Sequence, residues 1–438
     1  MTNPLKRERI AEGTHFNRIS DPRFKFNRIV FGFFVPLDKE KASLYALIPR
    51  LFHRTNAEYP KSKDFNNYLA SLYNAKVDFE VASIGDTQFL GISMNFMDDS
   101  YALHGEKITE AASYALFNCV FNQPVADGNA FDNANVELCK REQIEAIEAE
   151  INDKRVYASN QARRIICEGE PAAINPLGTV EKTREITPES LLKAAVELFS
   201  NAVFEIICVG CNDFDSALKI AKEYFPAEQF DGRKTLPCES VYSPLKKTVS
   251  EKIEKLPVLN QSKVVLGFKT DSKNRAALTL MSNLYGGTLS SKLFLNVRER
   301  LSLCYYCWSR LSKEKGVMSV VCGVEEENIE KAREEIISQL ELIKTGDITA
   351  DELNSALLFE QNNIKTVNDS LSSLTWWYIS RIYAGEIKSP EQFLKNYEGI
   401  TSRDIIEAAD SMRLDTIYVL SGEEKCVGDD ISLQEENE

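Results

Sequence analysis

A chain of 438 residues is too long for one ordinary core, and at roughly 150 residues per domain it implies two to four units. Hydrophobic residues at 43% and charged residues at 27% are those of a folded globular protein rather than a disordered one. The formal charge of -14 argues against a phosphate-backbone footprint, which needs clustered positive surface, and leaves peptides or small molecules as the favoured partners; no nucleic acid is expected.

The N-terminal text "MTNPLKRERIAEG" lacks the apolar core of a signal peptide. The longest apolar run near it, "IVFGFFVPL", falls far short of the roughly 20 residues that span a bilayer. A cytoplasmic protein without a membrane segment is therefore expected. After the strand-like "FKFNRIVFGFFVPL", apolar periodicity predicts helical segments around 40–56 and 64–73, then strands in "AKVDFEVASI" and "TQFLGISMNF". Long helices near 101–120 and 130–168 follow, then a loop "PAAINPLGT", a helix near 188–199 and a strand "VFEIICVG". Strands and helices alternate without a regular crossover, so the class is α+β.

The second half reads as a second copy. "ITPESLLKAA" at 186–195 matches "ITSRDIIEAA" at 400–409 in six places, Ile-Thr, two apolar residues and Ala-Ala, and each precedes a β-rich run. Thr187 and Thr401 read as N-caps, with Pro188 at the first helical position. The blocks "VDFEVASIGDTQFLGISMNFMDD" and "CYYCWSRLSKEKGVMSVVCGVEE" each read as a strand pair followed by a helix. The sequence thus predicts two homologous domains, each an antiparallel-rich sheet covered by helices on one face. They span 1–225 and 250–425, with a polar linker at 226–249 and an acidic tail at 426–438. Ile329, Ala332, Ile336, Leu340 and Ile343 form one helical stripe, and Thr349 with Glu352 a capping box. Trp376, Trp377 and Tyr378 are expected in the core rather than in a binding box.

Ten cysteines are scattered through the chain, including the pairs Cys208/Cys211 and Cys304/Cys307. Both pairs lie in or beside β-rich text, where alternation sends neighbours to opposite faces, so buried reduced thiols are favoured over a zinc knuckle.

The most informative stretch is "YGGTLSSKLFLNVRERLSLCYYCWS" at 285–309. Gly286 and Gly287 are expected to end one helical run in the left-handed conformation. Ser290 or Ser291 starts another helix carrying Leu293, Phe294 and Val297, and a strand begins at Cys304. Arg298 and Tyr305 flank the helix-to-strand turn, where a guanidinium and a phenol could meet one carbonyl or carboxylate.

This stretch resembles the C-terminal half of the pitrilysin/insulinase family of zinc peptidases, which includes the mitochondrial processing peptidases. In that family a glycine-rich turn, a Ser-Ser-[RK]-L-[FY] helix and an Arg followed seven residues later by Tyr recur in this order. "NPLGTVEKTREIT" and "AVFEIICVGCND" are similar to further family segments, so the likeness covers nearly the whole chain. Active members carry H-x-x-E-H on a helix of the first half, with a Glu on a later helix as third zinc ligand. Aligning the family's M-L-F-K-G-T with "RLFHRT" puts that motif on Tyr45, Ala46, Leu47, Ile48 and Pro49, none of them a ligand or base.

His53 lies four residues beyond the motif and has no second imidazole, so it is expected at the surface or an interface. His15 and His104 lie in unrelated segments. Glu142, Glu145, Glu148 and Glu150 remain where the third ligand would fall, but Ile144, Ile147 and Ile151 mark the buried face, which favours a solvated acidic face. No zinc, no other cofactor and no peptidase activity of the chain alone are expected. The resemblance implies a non-catalytic subunit that offers Arg298 and Tyr305 to a peptide substrate, with a zinc-bearing homologous subunit or a second copy as partner. The alternatives are a stand-alone peptide-binding module and a purely structural subunit.

Overall fold

The computed structural model describes residues 5–126, 128–225, 245, 248–257 and 259–423. Most of the expected linker and the whole acidic tail lie outside the described residues.

The first half begins with a hairpin of β1 (Lys6–Ala11) and β2 (Thr14–Ser20), which the charged text had hidden, then β3 (Phe26–Pro36). Helices α1 (Ala42–Phe52) and α2 (Ser62–Ser71) lead to the hairpin β4 (Lys76–Ile84) and β5 (Thr87–Met97), and α3 (Ile108–Phe121) follows. A two-residue pair, β6 (Val125–Ala126) and β7 (Ala130–Phe131), precedes α4 (Asn133–Glu148) and α5 (Lys154–Ile166). Next come α6 (Val180–Arg184), α7 (Pro188–Asn201), β8 (Val203–Gly210) and α8 (Asp215–Tyr224).

The second half starts with β9 (Ser250–Leu256), β10 (Ser262–Lys269) and α9 (Arg275–Ser282), and its hairpin is β11 (Cys304–Ser312) with β12 (Val317–Val324). Helices α10 (Ile329–Lys344), α11 (Ala350–Thr366), α12 (Leu371–Tyr383), α13 (Pro390–Leu394) and α14 (Ser402–Asp410) lead to β13 (Arg413–Gly422).

The six-stranded sheet has the order β1-β2-β8-β3-β5-β4, and the five-stranded one β11-β12-β10-β13-β9. Apart from β1, the two have the same topology. The strand after each matched helix, β8 or β13, pairs antiparallel with β3 or β10 on one side and parallel with β2 or β9 on the other. The matched helices also share their start. Thr187 forms a capping box with Ser190, and Thr401 one with Asp404. The two copies of the repeat thus occupy the same structural role, in an α+β fold of two similar sheets.

One face of each sheet is packed by helices of its own half. Phe31, Leu47, Phe117, Leu191 and Phe204 belong to the first core, and Leu266, Met281, Ile336, Ile405 and Ile417 to the second. The opposite faces are covered by exchange. Ala158, Ala162 and Ile166 of α5 pack on Val265, Val321 and Tyr418 of the second sheet, while Leu374, Tyr378 and Ile382 of α12 pack on Val30, Phe34 and Ile207 of the first. A Cβ on Gly267 would stand 2.3 Å from Ile166 Cδ1, so that glycine is what lets α5 lie close to β10. The expected helix over 130–168 is therefore two helices. The first ends at Glu148, a 3-10 turn spans Ala149–Asn152, and Asp153, whose carboxylate accepts from the backbone amides of Arg155 and Val156, caps the start of α5.

Candidate functional site

The positions that match the metal motif lie on α1. Tyr45, Ala46, Leu47 and Ile48 are each less than 5% exposed, and Pro49 is buried inside the helix. The neighbouring α4 still faces α1, but with different chemistry. The Gln143 amide donates to the Ser43 carbonyl at 3.0 Å, to the Leu177 carbonyl at 3.1 Å and to Thr183 Oγ1 at 3.3 Å. Glu142 accepts from Arg54 and lies 3.5 Å from Arg50, whose guanidinium sits 4.7 Å over the Phe79 ring.

Two expectations change here. The buried face of α4 is Val136, Cys139, Lys140 and Gln143, with Ile144, Ile147 and Ile151 only half-buried. The acids also divide: Glu145 and Glu148 are solvated, while Glu142 and Glu150 are half-buried, Glu150 pairing with Arg164 at 3.3 Å.

His53, expected at the surface or an interface, is half-buried. Its ring lies 4.8 Å from that of Phe79, and Nδ1 is 3.2 Å from the Pro49 carbonyl. Burial, with the nearby Arg54, pushes its pKa down to about 4. His15 instead meets Glu205 at 3.3 Å, and His104 is exposed. Among the described residues no three His, Cys, Asp or Glu side chains are placed to hold a metal ion. A catalytic zinc needs three protein ligands and an open position. Apolar side chains and an ion pair in their place do not fit it, and no chemistry is routed through a metal below.

The segment around Arg298 is held differently. Two stretches, Asn283–Gly287 and Leu293–Arg300, are wound as π-helix. Neither Gly286 nor Gly287 is left-handed, contrary to the sequence reading. They are glycines because of crowding: a Cβ on Gly286 would stand 2.7 Å from both Leu293 Cδ1 and the Ser309 nitrogen, and one on Gly287 2.8 Å from Asn283 Oδ1. Leu293 and Val297 are fully buried. Lys292, which the sequence reading passed over, is buried between Asp347 at 3.3 Å and Glu352 at 3.0 Å and anchors the helix. The chain leaves through Ser302, at a φ of 49°.

At the start of β11, Cys304 faces Val324 and Tyr306 faces Gly323, so Tyr305 is the extra residue of a bulge. The bulge keeps Cys304 and Cys307 in the same apolar core as Cys322 and turns Tyr305 outward. Tyr305 is 60% exposed and donates to Glu325 at 2.6 Å. Arg298 is 41% exposed, stacks 4.7 Å over Phe294 and lies 3.6 Å from Glu299. Both side chains stand at the surface of one helix-to-strand junction, but each is held by its own acid. Leu295 and Leu301 are exposed on the same segment.

The cysteines and the tryptophan cluster that the sequence assigns to the interior are structural. Cys208 is buried in β8, and Cys211 is half-buried beyond it. Trp376 packs edge-on against Phe89, Trp377 against Phe393, and Tyr378 is buried, as core packing requires. No helix of the described residues is long and apolar enough to cross a membrane.

Comparison with known proteins bears on the same regions. The model described as "Peptidase M16 inactive domain" matches residues 185–358. The chain is 28% identical over 411 residues to the "Probable inactive metalloprotease YmfF" of Bacillus subtilis, covering 93% of this chain and 95% of that one. A conserved protein from Enterococcus faecalis superposes with a TM-score of 0.86 at 24% identity, over 96% of this chain and 99% of that one. A Pseudomonas fluorescens structure described as a peptidase M16 inactive domain gives 0.75 at 15% identity, over 96% and 98%. Over nearly its whole length the chain is thus similar to a probable inactive metalloprotease, with an M16 inactive-domain match across its middle and Tyr45, Ile48 and Pro49 at the motif positions of α1.

Proposed function

We propose that the chain is the non-catalytic subunit of a peptide-processing pair and presents Arg298 and Tyr305 to a peptide cut by a zinc-bearing homologous subunit. The observation that carries this reading is the contrast between two sites. The metal-motif positions are buried and apolar, whereas the Arg298 and Tyr305 side chains reach the surface of one junction, each beside its own acid. During hydrolysis the developing oxyanion and its neighbouring carbonyl need donors beyond the metal, and a guanidinium and a phenol supply them. Tyr305 would exchange Glu325 for the peptide. The cytoplasm is the setting proposed, since the described cysteines are all free thiols.

The test is the pair reconstituted with a zinc-bearing homologue from the same host. Tyr305→Phe and Arg298→Ala should each lower kcat/KM on the order of a hundred- to a thousand-fold, as loss of one such donor does. Assembly and melting temperature should stay near wild type. Wild-type turnover in both variants would leave the reading of a purely structural subunit, or of a peptide-binding module acting alone.

A further inference from the structure

A cavity of about 240 Å³ opens in the second half, where the start of α9, the β11–β12 turn and the end of α12 meet. Four of its lining residues are cations: Lys273, Arg275, Lys313 and Arg381. One acid, Glu386, stands in the same lining, so cations outnumber acids there. Lys273 and Arg275 are exposed at the rim, and among the described residues no acid is paired with either. The acid nearest Lys313 is Glu360, at 3.8 Å, and Glu360 already accepts from the Tyr397 hydroxyl at 2.8 Å and from Asn283 at 3.2 Å. Arg381 is 9% exposed, stacked 4.7 Å over Phe393 and 5.4 Å over Trp377. Two acids act on it: Glu314, the stronger, and Glu386, which lines the cavity 3.9 Å away and is held by Lys388 at 2.7 Å.

Two further observations bear on the site. Arg381 Nε is buried with no hydrogen-bond partner, although a guanidinium donates through every N–H it can place. Helix α9 opens on the cavity wall, with Asn274 as its N-cap and Ala276 in the lining, so the positive end of the helix dipole adds to the four side chains. Burial holds the pKa of both Lys313 and Arg381 below the ordinary values, as expected of cations whose local acids do not offset their desolvation. The space is several times the roughly 30 Å³ share of one water.

We propose that this cavity binds a small oxyanion, the phosphate of a free or phosphorylated small molecule or the terminal carboxylate of a peptide, gripped by Lys313 and Arg381 inside and by Lys273 and Arg275 at the rim. The planar fork of Arg381, fixed between two rings, suits bidentate contact with either group. The site is separate from Arg298 and Tyr305 and does not depend on the subunit reading.

The experiment is a calorimetric titration of the full chain, at fixed ionic strength set with chloride, using inorganic phosphate, a short peptide with a free C-terminus, and the same peptide as its C-terminal amide. Tryptophan fluorescence gives a second readout, because Trp377 lies against Arg381. Saturable binding of phosphate identifies that source, and binding of the free-acid peptide but not its amide identifies the other. In either case the rim double variant K273Q/R275Q should lose at least tenfold in affinity with its melting temperature unchanged, and Lys313→Met should lose as much. No binding of phosphate or free-acid peptide, or binding as tight to the rim variant as to wild type, overturns the site.

Discussion

Lys315 and Asp86 join two hairpin turns that hold equivalent places in the two halves, with the ammonium 3.0 and 2.9 Å from the two carboxylate oxygens and both side chains 4% exposed. Glu170 shares the same ammonium at 2.6 Å, and Lys269 continues the network to Glu170 at 3.9 Å and Asp415 at 3.6 Å. Lys315→Met would leave Asp86 and Glu170 buried without that ammonium. Removing one partner of a buried pair costs about 3–5 kcal/mol. Urea unfolding should show a loss of this size for Lys315→Met and a smaller one for Asp86→Asn, because Glu170 still meets the ammonium. A change under about 1 kcal/mol for Lys315→Met, the range of exposed pairs, would show that the network lies open to water.

The α1 site leads to a metal prediction. Purified chain should hold no stoichiometric zinc and cleave no peptide, since Tyr45, Ile48 and Pro49 offer no ligand or base. Elemental analysis decides it. One zinc per chain that disappears in His53→Ala would contradict the geometry.

His53 should make stability fall on acidification. Its folded-state pKa of about 4 lies below the ordinary 6.5, so the unfolded chain takes up a proton first. The neutral ring's contribution is complete above about pH 6.5 and is lost as pH falls towards 4. The gap, discounted for the ring's partial exposure, corresponds to on the order of 2 kcal/mol. Unfolding free energies at several pH values between 7 and 4 should slope less in His53→Gln than in wild type. Parallel slopes would show that His53 is not the group responsible.

Gly267→Ala should push Ile166 and with it α5 off the second sheet, at about 1–3 kcal/mol for an overpacked contact. Ile166→Ala alone opens a cavity. The double variant should recover part of both losses, because each change relieves the other, and a double-mutant cycle reads that coupling directly. Strict additivity would mean that the two residues do not touch in solution.

Much of this architecture could be read from the chain, because its signals are local. The match of Thr187 with Thr401 rests on caps and apolar spacing a few residues long, and both helices lead into equivalent strands. The vacant metal motif was equally legible, since it depends on identity at fixed positions. Features that depend on tertiary contact were not. The charged β1 hides its strand character, because its burial does not alternate and its Arg7 is engaged by Glu205 on β8. Gly286 looked like a helix end, and only the approach of Leu293 and Ser309 shows why a side chain is excluded. The face of α4 was misassigned because Gln143, a polar residue, is the one that bonds α1. The outward turn of Tyr305 depends on a bulge that no residue pattern in "LCYYCWS" announces.

The exchange of α5 and α12 has a consequence for how the protein is made. When α5 emerges from the ribosome, the strands that will receive Ala158, Ala162 and Ile166 have yet to be synthesised, and at about 5–20 residues per second the wait is on the order of ten seconds to a minute. Over the same interval Val30, Phe34 and Ile207 present an apolar sheet face with nothing over it. The N-terminal half therefore cannot finish folding until α12 has emerged. The nascent chain exposes apolar surface over this interval, and truncation before α12 is expected to leave that face uncovered and prone to aggregation.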